Sequence, residues 1–125
     1  PAMEIIDSRY QAFKFTLEDV MAENTSSAGF VLGAMRPVNT DISNCGVNMK
    51  ENGRLVQAGS TAAILGNPLR CLVQVSQLLA EKGQVLPAGS IIMAGAATAA
   101  QAMQKNSLYE TTILGLGTVS VRSLP

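Results

Sequence analysis

Histidine and tryptophan are both missing from the 125 residues, and aromatic side chains make up only 4% of them. Without histidine there can be no Ser-His-Asp or Cys-His nucleophile system within this sequence, and no imidazole-ligated zinc. Cysteine is scarce as well. Cys45 and Cys71 stand in unrelated surroundings, match no zinc-ligand spacing and read as two reduced thiols. Charge is thin, at 14% of residues, and nine basic side chains balance nine acidic ones. That balance offers no electrostatic footprint for nucleic acid or an anionic membrane surface. No apolar run reaches the roughly 20 residues that a membrane-spanning helix needs, and the expectation is that no signal peptide precedes the fold. A cytoplasmic chain with neither nucleic-acid nor membrane partners is the expectation. Acid–base or metal work falls to carboxylates, lysines, hydroxyls and backbone, and such hard oxygen donors favour Mg²⁺ or Mn²⁺.

What is present is apolar: 47% hydrophobic residues with six methionines. Length and composition predict a single domain over 1–125 with a real core. A surface so poor in charge predicts that part of it is covered in a homo-oligomer, because monomers rarely leave large apolar patches open.

The order of elements reads as follows. Met3-Glu-Ile-Ile6 is bulky and partly β-branched, which favours a strand, and Tyr10–Phe15 alternates as though it continued extended. Thr16-Leu-Glu-Asp19 has the capping-box spacing of a short helix, ended by Asn24–Ser27. Gly29–Gly33 reads as a short buried strand, and 34–44 as a polar loop. Around Asn52-Gly53 the flanking runs predict a hairpin, since this pair tolerates the positive φ of a tight turn. Asn67-Pro68 opens a helix over about 67–82, and Gly83 closes it. Its broad apolar face and narrow polar stripe predict a mostly buried, packed helix. Ser90–Gly95, 107–114 and 117–122 read as strands, and 96–104 as a helical turn or loop. The class is α+β, strand-rich, with one long helix on sheet.

Three stretches carry a resemblance: PAMEIIDSRYQAFKFTLEDVMAENTSSAGFVLG, GVNMKENGRLVQAGSTAAILGNPLRCLVQVSQLLAEKGQVLPAGSIIMAGAATAA and GLGTVSVR. Together they resemble the C-terminal half of the fumarylacetoacetate hydrolase superfamily. Within it they are similar to the branch of 4-oxalocrotonate decarboxylases and 2-oxopent-4-enoate hydratases, and DSRYxxFKF with LPAGS…GxxTAA tilts toward the former. The resemblance implies a mixed β-roll or sandwich, and a Mg²⁺- or Mn²⁺-dependent lyase of catechol meta-cleavage acting on small 2-oxo acids. It implies three acidic metal ligands. One follows Pro-Ala-x and is here Glu4; the other two form an upstream Glu-x-Glu pair that this sequence does not include. It also implies substrate contacts at Ser26, from the turn Glu23-Asn-Thr-Ser26, and at Thr98, with Lys14 as a further candidate. Asp7 and Arg9 are expected to pair and hold the loop. A chain with one ligand of three is expected to be inactive alone and to need a complementing N-terminal half or a second copy. Ala94, Ala99–Met103 and Asn106-Ser107 depart from the usual pattern of relatives.

Overall fold

The computed structural model describes the backbone of residues 1–125 and every side chain except that of Phe13. Strand β1 (Ala2–Ile6) is followed by helix α1 (Leu17–Ala22), strand β2 (Ser27–Leu32), the hairpin β3 (Gly46–Glu51) and β4 (Arg54–Ser60), helix α2 (Leu69–Glu81), and strands β5 (Leu108–Ile113) and β6 (Gly117–Arg122). β1 and β2 form a two-stranded antiparallel sheet, and the second sheet runs β4-β3-β5-β6, also antiparallel.

The hairpin turn is the one the sequence demands. Asn52 and Gly53 take φ of 49° and 81°, the left-handed pair that matches the twist of the flanking strands. Asn52 does more than turn the chain: its side-chain oxygen accepts from Leu108 N–H at 2.9 Å and its amide donates to Ser107 Oγ at 3.1 Å, tying the turn to the start of β5. At α2, Pro68 already has helical angles, and Asn67 Oδ1 accepts from Leu69 N–H at 2.9 Å. Asparagine therefore caps and proline starts the helix, while Gly83 stops it at φ 67°.

Antiparallel register sorts the larger sheet into two faces. Tyr109, Thr111 and Ile113 align with Glu51, Met49 and Val47 on one side, and with Val121, Val119 and Gly117 on the other. This face meets the small sheet: Met3, Tyr109 and Val119 form the core, with Ile5, Val31 and Val121 packed on it. Alternate residues such as Asn48, Thr112, Thr118 and Ser120 point outward and are exposed.

Four expectations need correction. Tyr10–Phe15 is not extended: Gln11–Phe13 makes a single tight turn with Ala12 at φ 56°. β2 is a strand but mainly exposed, with Phe30 52% accessible. α2 has no buried residue, and its apolar face, with Leu69, Leu72, Val73 and Leu78 exposed, is not packed against sheet. Ser90–Gly95 joins no ladder. A strand needs a neighbour for its N–H and C=O groups, and this chain places none beside those residues. Residues 84–106 instead run without helix or strand, held point by point by other elements. Cys71 Sγ–H donates to Ala94 O at 2.8 Å and Gln57 Nε2–H to Gln101 Oε1 at 3.3 Å. Tyr109 Oη accepts from Gln104 N–H at 2.7 Å and lies 2.8 Å from Glu51 Oε1, to which it donates. Ser123 Oγ–H donates to Gln104 O.

Candidate functional site

Glu4 lies in the middle of β1, directly across from Phe30 of β2, with an exposed side chain. Its nearest partner is a long contact, Ser27 Oγ–H to Glu4 Oε1 at 3.4 Å. The pairing slips between Ile5 and Ile6, and Asp7 N–H then bonds Ser26 O at 2.8 Å. The slip brings the loop after β1 against the turn before β2.

That turn is strained. α1 starts cleanly, with Thr16 Oγ1 accepting from Asp19 N–H at 3.3 Å and Asp19 Oδ2 accepting from Thr16 N–H at 2.9 Å. After it, Asn24, Thr25 and Ser26 take φ of 59°, 56° and 58°. Asparagine tolerates this region, but a β-branched threonine rarely enters it, and each such residue costs about 1–3 kcal/mol. The compensation is Glu23, only 6% exposed. Its carboxylate accepts from Ser26 Oγ–H, from Ser8 Oγ–H at 3.0 Å and from Arg9 N–H at 2.9 Å. The Ser26 hydroxyl, with the Arg9 amide and Ser8 hydroxyl behind it, holds the Glu23 carboxyl below the usual glutamate range against the opposing effect of burial. Arg9 Nη1–H donates to Glu23 O at 3.1 Å. The expected Asp7–Arg9 pair is thus replaced by an Arg9–Glu23 clamp.

The structure brings Glu4 and the 24–27 turn together, but Ser26 faces inward to Glu23, and at 5% exposure its hydroxyl is committed there. Lys14 is exposed at the end of the Gln11–Phe13 turn, not in an alternating strand. Thr98 belongs to a different neighbourhood. Its segment crosses β4 so closely that a Cβ on Gly59 would stand 2.1 Å from Ala97 O and 3.1 Å from Thr98 Cγ2. Thr98 Oγ1 donates to Ala99 O at 3.1 Å. An apolar groove of about 350 Å³ runs between the start of α2 and 86–94, lined by residues such as Ile42, Leu72 and Ile92, and touches none of the candidates. Glu23 itself escaped the sequence reading. The available signal was an acid at a helix C-terminus, where the macrodipole disfavours it.

As a cation site, the donor set in this chain is incomplete. Glu4 offers an exposed carboxylate, but among the described residues no group of three His, Cys, Asp or Glu side chains could share an ion. Mg²⁺ holds its water tightly, and one carboxylate does not displace it. The residues present do not by themselves fit the cation.

Residues 9–122 match the family described as fumarylacetoacetate (FAA) hydrolase C-terminal. The chain belongs to the fumarylacetoacetate hydrolase family. Among its relatives, a 4-oxalocrotonate decarboxylase of Pseudomonas sp is 52% identical over 120 residues, covering 96% of this chain and 47% of the relative. The 2-keto-4-pentenoate hydratase 1 of Dechloromonas aromatica (strain RCB) is 35% identical, over 96% of this chain and 46% of the relative. In three dimensions the chain is similar to 4-oxalocrotonate decarboxylase from Pseudomonas putida G7, complexed with magnesium and adipate. The TM-score is 0.92 at 40% identity, over 99% of this chain and 48% of that one. The same enzyme complexed with calcium and acetate gives a TM-score of 0.89. The family fold, strand-rich α+β with one main helix, is therefore shown, and this chain spans about half the length of the relatives it matches. No helix among the described residues is long and apolar enough to cross a membrane.

Proposed function

We propose that the chain is the C-terminal part of a 4-oxalocrotonate decarboxylase-like lyase, acting in the cytoplasm on small 2-oxo dicarboxylic acids with Mg²⁺ or Mn²⁺. The observation that carries this reading is the 52% identity to a decarboxylase against 35% to a hydratase, each over 96% of this chain. In it Glu4 is one metal ligand, presented on a regular strand with a carboxylate free of strong partners. Ser26 and Thr98 serve the substrate pocket through the backbone they anchor, and Lys14 remains a candidate substrate contact. Because the donor set is incomplete, no bond-breaking step is assigned to this chain on its own. Completion by a polypeptide supplying two more carboxylates, or by a second copy, is part of the proposal. The exposed apolar surfaces of β2 and α2 support such a partner.

The second reading is a binding or assembly module that keeps the fold without the chemistry; the single carboxylate favours it. Calorimetric titration of the purified chain with Mg²⁺ and Mn²⁺, with and without adipate, separates the two. Saturable binding that vanishes in Glu4→Ala supports a metal site rebuilt by association, and carbon dioxide release from a 2-oxo-enedioate then identifies a decarboxylase. Heat signals absent from both proteins favour the assembly module.

A further inference from the structure

The Glu23 carboxylate joins two segments that the sequence separates by more than a helix. On one side it accepts from Ser8 Oγ–H and Arg9 N–H, at 3.0 and 2.9 Å, and on the other from Ser26 Oγ–H. Around this junction Arg9 Nη1–H bonds Glu23 O and Asp7 N–H bonds Ser26 O. The turn it stabilises is left-handed at three successive non-glycine residues. Side chains alternate along it: Ser26 goes in to Glu23, while Thr25 Oγ1 and Ser27 Oγ stay outside, 3.2 Å apart, with Ser27 reaching Glu4.

We propose that Glu23 is a positioning residue, whose buried carboxylate locks the 7–9 loop to the 24–26 turn and thereby sets the hydroxyl of Ser27 beside Glu4. The inference rests on the reading of Glu4 as a site carboxylate. It requires no cation, since every contact in it belongs to the free chain. Without the Glu23 carboxylate the strained turn loses its bonds to the Ser26 and Ser8 hydroxyls and the Arg9 amide, and keeps only the backbone-directed bonds of Asp7 N–H and Arg9 Nη1–H. It would relax toward ordinary backbone angles, carrying Ser27 Oγ away from Glu4 while β1 itself stays paired.

The test uses the full chain, isotope-labelled and metal-free, compared with Glu23→Gln and Ser27→Ala. Three signals are followed: amide exchange at Asp7, amide exchange at Val119 in the core, and the Glu4 side-chain carboxyl carbon shift. Positioning predicts that Glu23→Gln speeds exchange at Asp7 by about tenfold or more, leaves Val119 unchanged, and moves the Glu4 carbon as Ser27→Ala does. Equal acceleration at Val119 would reduce Glu23 to general stabilisation and overturn the proposal. A Glu4 carbon that moves in Ser27→Ala but not in Glu23→Gln, or in neither, would overturn it too. Mn²⁺ added to the unsubstituted chain tests the underlying reading separately. If signals of Glu4 escape paramagnetic broadening, Glu4 is not a ligand in this chain, while the metal-free comparisons still decide the role of Glu23.

Discussion

Gly59→Ala is the sharpest perturbation of the region around Thr98. Gly59 lies in β4 opposite Val47, where an added methyl carbon would stand 2.1 Å from Ala97 O and 3.2 Å from the Ala97 carbonyl carbon. Ordinary contact lies near 3.5 Å, so backbone must retreat by about 1.4 Å, and a main-chain carbonyl cannot swing aside like a side-chain tip. Overpacking of this kind costs about 1–3 kcal/mol. For a domain of this length that corresponds to a loss of roughly 3–5 °C in Tm per kcal/mol. The control is Gly46→Ala in the neighbouring strand, where nothing lies within 4 Å of an added Cβ. Differential scanning calorimetry of the two variants, with amide exchange at 97–101, reads the outcome. A fall in Tm confined to Gly59→Ala, with faster exchange around Gln101, is expected. Equal melting temperatures would refute the close crossing and with it the placement of Thr98.

Three further outcomes are expected. Tyr109→Phe removes the hydroxyl that serves Glu51 and Gln104 N–H in a side chain only 2% exposed, and should cost about 1–3 kcal/mol in urea unfolding. Thr111→Val removes a buried hydroxyl that has no hydrogen-bond partner among the described residues, so stability should hold or rise by about 1 kcal/mol; a loss on unfolding would mean that the hydroxyl is satisfied in solution. Glu23 has a lowered folded-state pKa, so its stabilisation is present above the unfolded glutamate value of about 4.3 and disappears as pH falls through the lower folded value. Acid unfolding curves of Glu23→Gln should lack that component, while the contributions of Asp19 and Asp41, lowered by neighbouring N–H groups and hydroxyls, persist.

The elements readable in the sequence are those whose cause is local. Thr16 with Asp19, Asn52 with Gly53, and Asn67 with Pro68 each solve a backbone problem within four residues, and each stands where its chemistry placed it. What failed depends on residues far along the chain. Ser90–Gly95 has the composition of a strand, but composition does not reveal whether a ladder partner exists. α2 has an apolar stripe, which shows that the helix suits a covered face without showing that this chain covers it. At the candidate site, Glu4 rests on resemblance alone. The Glu23 clamp needed the β1–β2 register, because only that register brings Ser8 and Arg9 back to the end of α1.

The segment 84–106 also sets an order of events. It makes no ladder of its own, and its anchors come from Cys71 on α2, Gln57 and Gly59 on β4, Tyr109 on β5, and Ser123 just beyond β6. None of those anchors exists until its own element has formed, and all but the local Gln104–Tyr109 bond close long loops, so ordering this stretch early gains little against its entropy. It is therefore the last part of the chain to settle during folding. By the same reasoning it is the first to open, and a protease added at low concentration should cut there before it cuts either sheet.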